Sequence, residues 1–69
     1  MVSQKFLQSI RTSGIPIYKI AYEAGLRPGN LYKITSGIDI PTAGDKRVIS
    51  VGHVLGLQPE DCFGEEVKR

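Results

Sequence analysis

Cysteine and histidine occur once each, at Cys62 and His53. The sequence therefore offers neither a disulfide pair nor the further ligands that a metal cluster or a Cys/His nucleophile pair requires. Asp61 and Phe63 flank the cysteine, and neither lowers a thiol pKa. Cys62 is expected to be a small apolar residue packed near the end of the fold. Measured against what a catalytic constellation needs, the chain is expected not to be an enzyme and to use no metal or cofactor. Its polar chemistry gathers elsewhere. Between Leu26 and Ser36 the apolar residues Leu31 and Ile34 stand three apart, and the opposite side presents Asn30, Tyr32, Lys33 and Ser36. That is a face of donors and acceptors suited to hydrogen bonding.

The same face lies in the basic half of the chain. Residues 1–36 contain Lys5, Arg11, Lys19, Arg27 and Lys33 against Glu23 alone, whereas residues 37–69 contain four basic and six acidic residues, for a formal net charge of +2. A positive half suits a polyanionic partner. Tyr18, Tyr22 and Tyr32 have rings and hydroxyls that can stack on or bond to nucleic acid, or simply sit half-buried on helices.

A chain of 69 residues fits one domain with one core, burying about 60% of the surface its unfolded form exposes. With 41% hydrophobic and 23% charged residues it falls in the ordinary globular class. Its apolar stretches are far shorter than the roughly 20 residues that cross a bilayer. The N-terminus also lacks a basic start followed by an apolar core. A soluble, cytoplasmic protein is the expectation.

The elements that must position the polar face are all helical in period. Phe6, Leu7 and Ile10 recur at helical spacing behind Ser3, a suitable N-cap, and Gly14 stops that segment. Pro16 opens a second, about two turns long, whose stripe is Ile17, Ile20, Ala21 and Ala24 before Gly25. The third carries Leu26, Leu31 and Ile34. Either Pro28 is its first residue behind Arg27, or Pro28-Gly29 forms a turn and Asn30 caps it. After a loop, Asp45 caps a segment with Val48, Val51, Gly52 and Leu55 on one side. A glycine inside that pattern costs roughly 1 kcal/mol relative to alanine, which predicts a close helix–helix approach at Gly52. Gly56 ends it, and Pro59-Glu60-Asp61 opens a last short turn that Cys62 and Phe63 dock.

Two short helices separated by Gly25, the second with an apolar seam and a polar outer face, are what a helix-turn-helix unit requires. The register narrows this further. Ile20-Ala21-Tyr22-Glu23-Ala24-Gly25-Leu26, followed by Leu31, Ile34 and Gly37, resembles the phage-repressor, Cro-like family of helix-turn-helix DNA-binding domains. The family pattern has an apolar residue followed by Ala, Gly four residues after that Ala, then apolar positions one, six and nine residues beyond the Gly. Gly14 lies six residues before Ile20, and Leu55-Gly56-Leu57 with Pro59-Glu60-Asp61 is similar to the family's ending. The resemblance spans roughly residues 3–63.

It implies an all-α, five-helix, lambda-repressor-like bundle over residues 1–64, with 65–69 a charged tail. Residues 17–24 would lie across the DNA backbone and residues 28–36 in the major groove. Carried over position by position, Arg27, Pro28, Gly29, Asn30 and Lys33 are the base-reading residues, and Tyr18, Lys19, Tyr32 and Ser36 the phosphate contacts. Lys33 can donate to guanine O6 and N7, and Asn30 can pair with adenine or hold a phosphate. Pro28 can touch a thymine methyl, and Gly29 lets the backbone come close. The implied function is sequence-specific binding of double-stranded DNA as a transcriptional regulator, a repressor by preference.

Three positions depart from the pattern. Many relatives carry Gln at the position of Ile17, and an Arg and a Glu that form a buried ion pair at the positions of Ile10 and Thr35. Losing both partners of a buried pair together is physically coherent, whereas losing one is costly. The segment between Gly37 and Val48 is also about two residues longer than in relatives, with Thr42-Ala43-Gly44 as extra loop. The competing expectation is a protein-interaction module on the same fold, such as an antirepressor, adaptor or antitoxin. It is separated from a DNA reader by whether Lys19, Arg27 and Lys33 stand unpaired. Because one such unit reads few base pairs, a weak homodimer forming on DNA is expected, through Leu57, Phe63 and Val67.

Overall fold

Local chemistry divides the described residues into five helices. The structure, a computed structural model, describes residues 2–64. The expected charged tail over 65–69, and with it Val67, lies outside the described residues. Helix α1 spans Gln4–Thr12, α2 Ile17–Glu23, α3 Pro28–Ser36, α4 Lys46–Val54 and α5 Pro59–Cys62. No strand occurs among the described residues, although Val2 and Phe63 form one isolated antiparallel bridge.

The helix starts follow their capping chemistry. Ser3 Oγ accepts the amide of Phe6 at 3.0 Å and Asp45 Oδ1 that of Arg47 at 2.9 Å, each occupying a donor that the first turn leaves open. At α3 the two alternatives are resolved. Arg27 is the N-cap in an extended conformation and Pro28 the first helical residue, so Asn30 lies inside the helix. Pro16 stands one position earlier than expected, as the residue before α2.

The stops follow as well. Gly25 takes a φ of 80°, which glycine adopts without a side-chain penalty. The amide of Leu26 then reaches back to Ala21 O at 2.8 Å and that of Gly25 to Tyr22 O at 3.1 Å, the paired closure of a Schellman motif. Helix α4 ends the same way, with Leu57 N on Gly52 O at 2.8 Å and Gly56 N on His53 O at 3.1 Å.

Nine apolar residues close one core: Phe6 and Ile10 of α1, Ile20 and Ala21 of α2, Leu31 and Ile34 of α3, Val48 and Val51 of α4, and Cys62 of α5. Each helix buries the stripe that its spacing marks. Helix α2 packs on α3 and α4, α4 on α5, and α5 on α1. The α4–α5 contact is close because Gly52 is buried and a Cβ built there would overlap Cys62 Sγ. That is the close approach the glycine predicts, and Cys62 is its partner.

Two long-range ties shape the remainder. Ser3 N donates to Cys62 O at 2.9 Å, Ser3 Oγ donates to Asp61 O, and Lys5 Nζ lies 3.4 Å from Asp61 Oδ1. Together with the Val2–Phe63 bridge, these join the two ends of the described segment. The loop between α3 and α4 is held by Arg47, whose guanidinium meets Asp39 Oδ2 at 2.9 Å and Asp45 Oδ2 at 2.9 Å.

Candidate nucleic-acid interface

Helix α3 turns its apolar seam inward, so its other residues face out by helical spacing. Leu31 and Ile34 are buried, while Arg27, Gly29, Tyr32, Lys33 and Ser36 are exposed and Pro28 and Asn30 half-buried. Gly29, Lys33 and Ser36 lie four and three residues apart and share one side of the helix. Asn30 is three residues from Lys33 and borders the same side. Of the expected base-reading residues, Gly29, Asn30 and Lys33 are thus brought to one side of α3, while Pro28 opens the helix and Arg27 stands before it as the N-cap.

On α2, Ile20 and Ala21 face the core and Tyr18, Lys19, Tyr22 and Glu23 face out. Tyr18 and Tyr22 stack edge to face across one helical turn, with ring centroids 6.4 Å apart. Both rings are more than half exposed, as is Tyr32. This arrangement leaves flat aromatic edges and hydroxyls beside the cation of Lys19.

The cations of α2 and α3 meet few acids, since Glu23 is the one acidic residue on either helix. Among the described residues, Lys19, Arg27 and Lys33 have no acidic partner, nor do Arg11 and Lys46, whereas Lys5 and Arg47 are engaged with Asp61, Asp39 and Asp45. Ser36 is partly committed, since its hydroxyl donates to Lys33 O at 3.4 Å. The end of α3 is closed by Gly37 at a φ of 87°, with Asp39 N donating to Lys33 O at 3.0 Å. Beyond it Ile38 and Ile40 stand largely out of the fold, 76% and 64% exposed.

The three positions where the chain departs from the repressor pattern occupy one place. Ile10, Ile17 and Thr35 line a small cavity of about 390 Å³ between α1, α2 and α3. A larger groove of about 820 Å³ lies between the start of α1, the end of α3 and α5, with Val2, Leu7, Ile34, Ile40 and Phe63 among its walls. Leu57 and Phe63, two of the expected dimer contacts, are half-buried and pack on the core. The third, Val67, lies outside the described residues.

Sequence reasoning did not find Arg47 as the residue that fixes the loop following α3. The available signal was the Asp45-x-Arg47 spacing at a helix start, but its second partner, Asp39, is distant along a loop without periodicity. Among the described residues no three His, Cys, Asp or Glu side chains gather as a metal site requires. No described helix is long and apolar enough to cross a membrane. Neither a protein-family model, nor a curated protein, nor a solved structure matches the chain.

Proposed function

We propose that the protein is a helix-turn-helix regulator of the lambda-repressor-like kind, binding double-stranded DNA with α3 in the major groove and α2 across the backbone. The observation that carries this is the set of exposed cations Lys19, Arg27 and Lys33 on and beside α2 and α3, unpaired among the described residues, with Glu23 the one acid on those two helices. An unpaired cation on a rigid helix is available to a phosphate or a guanine edge, and an ion-paired one is not. The Gly25 closure between α2 and α3, and the shared cavity of Ile10, Ile17 and Thr35, support the same family geometry.

In this role Lys33 and Asn30 read base edges, with Arg27 beside them. Lys19, Tyr18, Tyr32 and Ser36 set the register on phosphates. Pro28 and Gly29 read little through side chains, so sequence discrimination is modest and a second copy on an inverted half-site supplies the rest. Little of Leu57 and Phe63 is left for that second copy, so the dimer is weak away from DNA.

The test is titration of duplexes selected from a random pool, at several salt concentrations. Lys33→Ala is expected to weaken the selected site by about 1–3 kcal/mol and relax one base pair. Lys19→Ala is expected to weaken all duplexes alike and to lower the salt slope by about one. Equal effects of the two substitutions would remove the division between reading and positioning. The groove beside α5, with Ile38 and Ile40 exposed close by, favours a second reading, a protein-interaction module. A chain that ignores duplex DNA at low salt would favour that instead.

A further inference from the structure

Past the end of α3, Ile38 and Ile40 are the most exposed large aliphatic side chains among the described residues. They do not sit on a slack loop. Asp39 between them is tied to Arg47 at 2.9 Å, and Pro41 after them is buried. Apolar side chains held out into water in this way mark a contact surface. Ile40 also forms part of the wall of the groove of about 820 Å³, together with Val2, Leu7, Ile34 and Phe63.

The groove is biased in charge. Asp39, Glu60 and Asp61 line it against Lys5 alone. Lys5 lies on Asp61 and Arg47 on Asp39, which leaves Glu60 with no cation among the described residues. In the sequence, Glu65 and Glu66 follow directly on Gly64, itself a wall residue. The backbone at the rim is open as well. The bond from Ser3 N to Cys62 O flanks the Val2–Phe63 bridge, so those two residues form the kind of pair whose own N–H and C=O groups point away from each other. Neither the amide nor the carbonyl of Val2 has a hydrogen-bond partner among the described residues. An open edge of this kind accepts an extended segment as an added strand, whose main chain supplies affinity while side-chain pockets supply choice.

We infer that the groove docks an extended segment of another protein, one that carries aliphatic or aromatic side chains flanked by lysine or arginine. The apolar residues of that segment pack on Leu7, Ile40 and Phe63, its cations meet Glu60 and the neighbouring acids, and its main chain pairs with Val2. An acidic segment of equal hydropathy is refused by like charge. The inference takes the groove as a protein contact, as in the second reading above, and adds what that contact selects. It does not rest on DNA binding, because the groove lies at the end of α3 and Arg27 to Asn30 lie at its start.

The test is selection of short random peptides on the full chain, followed by titration of synthetic copies. The recovered peptides are expected to combine apolar residues with an excess of lysine and arginine. Ile40→Asp and Glu60→Lys are each expected to weaken their binding about tenfold or more, as is replacing the lysines and arginines of the peptide by glutamate. Ile40 and Glu60 are exposed, so both variants are expected to melt with the parent, which separates a lost contact from a lost fold. Recovery of no peptide, of peptides without excess positive charge, or binding within about twofold of the parent in both variants would overturn the inference. So would a parent that sediments as a dimer dispersed by Ile40→Asp, which would give the groove to a second copy. Peptide binding that appears only after residues 65–69 are removed would overturn it too, by giving the groove to the chain's own end. None of these outcomes alters the duplex titration, which tests the DNA-binding role separately.

Discussion

At the scale of single residues, Gly52 and Cys62 define how near two helices come. Cys62 is fully buried, its thiol donates to Gln58 O at 3.4 Å, and burial, with the charges of Asp61 and Glu60, pushes its pKa up. It is therefore a packing residue at neutral pH. Because a Cβ on Gly52 would overlap the sulfur, Gly52→Ala is expected to destabilise by about 1–3 kcal/mol despite its better helix propensity. Cys62→Ala alone costs on the order of 1 kcal/mol by leaving a void. In the double variant the new methyl group occupies the space the sulfur vacates, so the combined loss falls short of the sum. Urea denaturation of the four proteins measures this, and strict additivity would mean the contact is not what limits the approach. That Gly52 marks a close contact is legible in the sequence, since a glycine interrupts an apolar stripe. The identity of its partner is not, because nothing in local spacing tells Cys62 which helix it will meet.

At the scale of elements, the loop from Gly37 to Asp45 is ordered by charge. Asp45 caps α4 and also accepts from Arg47 Nε at 3.2 Å and Nη2 at 2.9 Å, while Arg47 Nη1 crosses to Asp39. The hydrogen bond from the Arg47 side chain is the largest of the effects that hold the Asp45 carboxyl below its ordinary value of 3.8. A lowered folded-state pKa stabilises the fold above the unfolded value, and that stability is lost as pH falls through the folded one. Stability is thus expected to be flat in this respect above about pH 5 and to decline as pH drops below the ordinary aspartate range near 4. Asp45→Asn, which can still cap, is expected to remove the Asp45 share of that decline. Thermal melts of both proteins between acid and neutral pH test it, and parallel melting curves against pH would refute it. Arg47 is about one-third exposed, so the loss stays on the order of 1 kcal/mol. The cap is readable from Asp45 alone. The crossing to Asp39 is not, since the loop has no period to fix which side chains face each other.

At the scale of the whole molecule, each helix shows its buried stripe in the sequence, and the turn between α2 and α3 shows its glycine. The polar face of α3 is legible for the same reason: once Leu31 and Ile34 point inward, geometry decides where Asn30 and Lys33 point. What the sequence leaves open is how the ends meet. Ser3 is readable as a helix cap, but its contacts with Asp61 and Cys62 depend on α5 returning to α1.

That return determines how the molecule responds to force. Val2 and Phe63 pair antiparallel, and the next bond inward joins Ser3 to Cys62, so a load applied at the two ends opens the contacts one after another instead of shearing them together. Pulled in an optical trap, the protein is expected to yield at low force, releasing α5 and the start of α1 before the packing of α2, α3 and α4. Removing the Ser3 hydroxyl with Ser3→Ala should lower that first force and leave the later event unchanged. A single high-force rupture, insensitive to Ser3, would show that the ends are not where the structure gives way.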